Sequence, residues 1–184
     1  DSADVLESDA KQTEDDQDEL QDFPSELFIP LQDYIKRNLL AIRDLCRQGH
    51  LHKRRTHMGV VYSSCHAAIR DSLVMVELAG RTTYPAQIQS IFSAYRGPAI
   101  IPVSIGIFVC VRTFRPADTR MVDPYVEFPI WNARLHRNDT HKEDLILPIS
   151  AVHSHFAHMP FDEHHGVVIP LDRVGSSICY ADFH

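Results

Sequence analysis

What the chain has little of narrows the reading before any motif is found. Seven glycines in 184 residues leave scant material for loops that cradle phosphates, and no GxGxxG, P-loop, GxSxG or HExxH pattern occurs. The four cysteines, Cys46, Cys65, Cys110 and Cys179, form no CxxC pair. A chain of this length needs no covalent staple, so they read as reduced thiols of an intracellular protein. No run of 18 apolar residues occurs, because the longest candidate, 99–111, is broken by Pro102 and Gly106. A membrane-spanning helix is thereby excluded. Cys65 adjoins His66, but neighbours on a strand point to opposite faces, which makes a poor nucleophile–base pair. With no other catalytic constellation, the chain reads as non-enzymatic, and no cofactor is expected.

Hydrophobic residues make up 44% of the sequence, enough for a real core. The formal charge of −7 is unevenly spread. Residues 1–22 hold ten acids and one base, Lys11, a net of −9, so the other 162 residues carry +2 and all twelve histidines. An acidic stretch this poor in apolar residues cannot offset its ordering entropy, so 1–24 reads as a disordered acidic leader. It serves either as a solubilising segment or as an arm that shields a basic surface or meets a basic partner. The chain opens on Asp rather than Met, with no apolar segment of the secretory kind, and is expected to be part of something longer.

From 25 to 47 the apolar residues Leu31, Ile35, Leu39, Ile42 and Cys46 recur at three or four positions. That spacing predicts an amphipathic helix over 25–48, with Pro30 in its first turn and Gly49 as its C-terminal cap. Residues 49–59 then read as a basic linker. Beyond about Val60 the period becomes two. Strands are expected at 72–78, at 86–92 with Ala86, Ile88, Ser90 and Phe92 on one face, and at 105–114 as a central strand with two apolar faces. Further strands are expected at 131–136, 145–149, 152–158 and 167–171, with an irregular stretch over 115–129 and an unstructured tail over 174–184. Short strands without intervening helices indicate a mainly β domain over 60–173, a small antiparallel barrel or sandwich.

Two clusters bear on function. Tyr125, Glu127, Phe128 and Trp131 gather in a Pro-rich stretch, and loops on a small β scaffold commonly carry binding residues. Aromatic rings with one carboxylate are what a methylated-ammonium cage requires. The alternative is that these rings seal the end of the barrel. The basic run 47–57, with Arg47, Lys53, Arg54 and Arg55, has the composition of a salt-sensitive, sequence-independent nucleic-acid contact, although it lacks interleaved aromatics and also suits a solvated linker. Histidines recur at 50, 52 and 57 and again at 153, 155, 158, 164 and 165. His153 and His155 share a strand face, but no closed zinc spacing is present, so core-edge or surface roles are expected and no metal site is assigned.

Three segments in order, YPAQIQSIF (84–92), FVCVRTFRPADT (108–119) and DLILPISAVHSHFAHMPF (144–161), resemble a bromo-adjacent homology (BAH) domain. The resemblance covers roughly 70–172 and implies an SH3/BAH-like barrel with chromatin-binding roles. A second pattern joins Val111-Arg112, Phe114-Arg115-Pro116, Asp123-Pro124-Tyr125, His155-Phe156-Ala157, Pro160-Phe161 and 170–173. It resembles a tail found in fungal proteins derived from cut-and-paste transposases, and implies a nuclear setting with an upstream catalytic region. Together these readings give a non-enzymatic chromatin or protein interaction module with a histone tail or other chromatin protein as partner. A DNA-binding accessory module using 47–57 is the alternative, and a transposon remnant without activity a third possibility.

Overall fold

The structure, a computed structural model, describes residues 20–39, 42–78, 82–98 and 100–171. Residues 1–19 of the expected leader (1–24) and the expected tail (174–184) lie outside the described residues, whereas the leader's last residues are ordered and not disordered: Gln21 and Asp22 are in a strand and Phe23 is buried. Among the described residues the chain is mainly β with one α-helix, as expected. In order it forms β1 (Gln21–Asp22), α1 (Ser25–Asn38), β2 (Gln48–His52), β3 (Arg54–His57), β4 (Val60–Ser63), β5 (Leu73–Leu78), β6 (Thr82–Arg96) and β7 (Val103–Pro116). β8 (Arg134–Thr140), β9 (Leu145–Pro148), β10 (Val152–Pro160) and β11 (His165–Leu171) follow. Among the described residues no helix is long and apolar enough to cross a membrane.

Nine strands form one antiparallel sheet in the order β1-β2-β6-β5-β10-β11-β8-β7-β9. β6 pairs with β7 as well, so the hydrogen bonding passes through β5, β10, β11, β8 and β7 and returns to β6. One face buries Val74, Val76, Ala86, Ile88, Ile91, Val109 and Val111 with Tyr62. β-Branched side chains dominate this set because they fit a pleated surface without losing further rotamer freedom. On the other side, α1 lays Leu27, Leu31 and Ile35 against Phe92, Phe108, Cys110 and Ile146. Burial of each such side chain is worth about 1.5–3 kcal/mol. A helix of 14 residues is marginal alone, so docking rather than propensity holds it. The two apolar faces expected of the central strand are present in β7.

Several boundaries differ from the sequence reading, each for a local reason. The helix ends at Asn38 and not at 48: the Leu39 N–H donates to the Ile35 carbonyl and the Asn38 side-chain amide to the Tyr34 carbonyl, closing the last turn. Ile42 and Leu45 keep their apolar role by packing on the same core from non-helical chain, and Cys46 is buried there without being helical. Pro30 lies inside the helix, which starts after Pro24. Gly49 is no helix cap. It sits in β2 beneath Phe23, where a Cβ would overlap the Phe23 ring and the Ser93 carbonyl. In β6 the expected common face breaks, because the register with β7 shifts between Ile88 and Ser90. That bulge turns Phe92 toward α1 and brings Ile91 in beside Ile88. The strand expected at 131–136 begins at Arg134, after a 3-10 turn that contains Trp131.

The basic linker expected at 49–59 is mostly strand. β2 joins the large sheet, so the sheet begins well before residue 60, while β3 and β4 form a separate hairpin. Met58 and Gly59 make its two-residue turn with φ of 50° and 74°. Positive φ at both central residues is the signature of the turn that matches strand twist, and it favours Asn or Gly at the first position. Met58 is 88% exposed, so its side chain contributes little packing there. Met58→Asn should therefore raise stability by roughly 0.5–1 kcal/mol, read as a higher urea midpoint at unchanged slope. A lower midpoint would show that Met58 makes contacts the turn needs.

Candidate functional site

Between β7 and β8 the chain makes a loop, 117–132, built around one carboxylate. Asp123 caps the 3-10 turn Pro124–Glu127, its Oδ1 accepting from the Tyr125 N–H at 2.9 Å. Its Oδ2 accepts from the N–H of Leu135, the second residue of β8, at 3.0 Å. One side chain thus shapes the turn and fixes it to the sheet. Pro124 supplies the φ that the first turn position requires. A second 3-10 turn, Pro129–Trp131, follows, and Asn132 at φ 47° redirects the chain into buried Ala133. Tyr125 points back toward the body, joining Ala117, Met121 and Ile169 against Ala133, Leu135 and Val167.

The other side chains face out. Val122 is 86% exposed and Ile130 89%, with Val126, Phe128 and Trp131 also exposed. Phe128 and Trp131 stack on each other, centroids 4.9 Å apart and planes 18° from parallel. Both rings are about half exposed, so the stacked pair is accessible to solvent, the gap between the rings being filled by their own contact. Of the four residues expected here, Glu127, Phe128 and Trp131 are at the surface, while Tyr125 is half-buried. Sequence reasoning passed over Asp123 as a structural element and Val122, Val126 and Ile130 as surface residues. The Asp-Pro dipeptide was the available signal for the first, since Asp before Pro favours turn initiation.

The basic run is divided. The Arg47 guanidinium lies 5.9 Å from the centre of the Phe28 ring, beside α1. Lys53 and Arg54 are exposed about 20 Å of extended chain further on, at the start of the hairpin. Arg55 is half-buried and opposes Tyr62 across the strands.

The histidines have separate tasks. Buried His52 pairs with the Ser93 hydroxyl at 2.8 Å, His153 with Glu77 at 2.8 Å, and His165 with Asp162 at 3.0 Å. His155 stacks on Tyr62 and reaches the Val61 carbonyl at 3.0 Å, tying the hairpin to β10. Among the described residues no group of three or more His, Cys, Asp or Glu could hold a metal. Cys46, Cys65 and Cys110 are free thiols. Burial pushes the Cys110 thiol up to about 12, which leaves it protonated and unreactive. Cys65 lies in a turn after β4, where its thiol donates to the Gln89 side-chain carbonyl at 3.6 Å. An open depression of about 370 Å³ lies between Arg43, Asp44, Arg96 and Ile101 and brings no catalytic pair together.

His136 Nδ1 and His158 Nε2 are buried without a hydrogen-bond partner. Burial pushes both imidazoles below the usual histidine value of 6.5, with the Arg115 carbonyl and Asp123 partly opposing this at His136. Both are neutral in the fold. A lowered folded pKa means that the unfolded chain binds protons first, so the stability they supply is whole above about pH 6.5 and lost below it. The urea midpoint should hold above pH 7 and fall from about 6.5 downward, with a shallower fall in His158→Phe. An identical pH profile in that variant would refute the assignment.

No family model, no curated protein and no solved structure matches this chain.

Proposed function

We propose that this chain is a non-enzymatic interaction module that binds a chromatin protein through the loop between β7 and β8. The carrying observation is that loop: five exposed apolar residues, two of them stacked aromatics, on a backbone held to the sheet by Asp123. Exposed apolar side chains gathered in this way mark interaction surfaces, and aromatic residues are the commonest anchors at such surfaces. In this reading the closed circuit of six strands is an SH3/BAH-like barrel, and the loop is its recognition element. The exposed stacked rings and the nearby exposed Glu127 suit a lysine or methylated lysine by cation–π and charge attraction. A histone tail supplies that chemistry. The resemblance to tails of transposase-derived proteins supports an accessory role in the nucleus.

An array of methylated and unmodified histone-tail peptides tests this reading. Binding concentrated on lysine-rich peptides, and lost in Trp131→Ala, is expected. Signal no higher than background across the array would remove the histone reading.

A further inference from the structure

Independently of the loop, three polar side chains meet over Gly166 on one face of the β10-β11-β8 part of the sheet. His136 in β8 stands opposite Gly166 in β11. Asn138 lies two residues further on and so shares that face. His158 in β10 opposes Val168 and leans back across the glycine. A Cβ at Gly166 would overlap His158 Nε2 and stand 2.8 Å from Asn138 Oδ1, so only a bare glycine lets these two atoms gather there. The Asn138 amide nitrogen donates to the carbonyls of Asp162 at 3.4 Å and Glu163 at 3.2 Å, which leaves its oxygen for the glycine side. His136 Nδ1 and His158 Nε2 are buried with no hydrogen-bond partner. Phe114 and Phe156 wall the place, their ring centres 5.5 and 6.5 Å from that of His158.

We propose that His136 Nδ1, His158 Nε2 and Asn138 Oδ1 bind one zinc ion or a related late divalent transition ion. Imidazole nitrogens are donors that such ions take readily, whereas magnesium and calcium prefer all-oxygen sets. A buried polar atom without a partner calls for an occupant, and two such nitrogens in one place call for a shared one. Among the described residues no third His, Cys, Asp or Glu joins them, so the amide oxygen is the third donor. A charge on His158 would lower the His136 pKa further, which puts the two rings in one electrostatic neighbourhood. Both rings are already neutral at pH 7, so no proton has to leave when the ion enters. The ion ties β8 to β10 across β11. Three protein donors leave the fourth tetrahedral position open to water or to a side chain of a partner.

Isothermal titration of the full chain with zinc chloride, at neutral pH in a non-chelating buffer, counts the sites. One zinc per chain is expected. Long-range proton–nitrogen spectra of the imidazoles then locate it: His136 Nδ1 and His158 Nε2 should shift, and the other ten histidines should not. His158→Phe should weaken zinc binding at least about tenfold, the lower bound of what loss of a mere outer-shell partner costs. Asn138→Asp keeps both imidazoles and exchanges a neutral donor for a carboxylate, so it should tighten binding roughly tenfold. That gain separates a lost ligand from a lost fold. Absence of zinc uptake would mean that water satisfies the two nitrogens, and it overturns the proposal. Shifts confined to other histidines overturn it too, as does an affinity unchanged in His158→Phe or not raised in Asn138→Asp.

Discussion

Phe23→Ala should lower the unfolding free energy by about 3–5 kcal/mol, the largest single-residue effect expected in this fold. Phe23 is buried between β1 and α1, its ring edge-on to Phe92 at 5.2 Å, and its N–H donates to the Arg47 carbonyl. Removing the ring opens a cavity under the helix at the place where β1, β2 and α1 meet. The space beneath it is fixed by Gly49, so the neighbourhood cannot collapse by moving β2 inward without breaking its pairing with β6. Gly49→Ala tests the same junction from the other side, since its methyl would enter the volume of the Phe23 ring. Its cost should be about 1–3 kcal/mol, as for other overpacked sites. Urea titration gives both values, and amide exchange should show α1 losing protection first in each variant. A loss under 1 kcal/mol for Phe23→Ala would mean that the helix is held elsewhere.

Asp123→Ala should have the second-largest effect, and it links fold to function. The carboxylate accepts from two backbone N–H groups, those of Tyr125 and of Leu135, the latter twelve residues from Asp123 itself. Hydrogen bonds to a charged acceptor contribute about 1.5–3 kcal/mol, and half-buried N–H groups left without partners add to the loss. A destabilisation of roughly 2–3 kcal/mol is expected, together with faster motion of the Trp131 ring in fluorescence anisotropy decay. Asp123→Asn keeps only one carbonyl acceptor, so it should retain one of the two bonds and fall between parent and Ala. If Asp123→Ala leaves both stability and Trp131 motion unchanged, the loop is shaped by its prolines alone.

The strands were readable because alternation and β-branching leave a period of two that survives even without partners: β5, β7, β9, β10 and β11 lie close to where the sequence places them. What the sequence hides is anything set by a non-local contact. The helix pattern runs past Asn38 because Ile42 and Leu45 are apolar for the sake of the same core, although the chain that carries them is not helical. The bulge after Ile88 has no residue signature, and it alone decides that Phe92 meets the helix. The hairpin turn was missed because Met58 occupies a conformation that usually calls for Asn or Gly. At the candidate site, composition revealed the aromatic cluster, but not the loop geometry, tied to the sheet by the bond from Asp123 to Leu135, in which Tyr125 turns in while Phe128 and Trp131 are exposed.

Trp131 is the chain's one tryptophan, so its emission reports on the proposed recognition face and on nothing else. The central claim is tested most directly by titrating the full chain with a trimethyllysine histone-tail peptide while following that emission. A saturable change in intensity or wavelength, abolished in Phe128→Ala, is the predicted result. Emission that stays constant while the peptide demonstrably binds would contradict the assignment of the β7–β8 loop as the recognition surface.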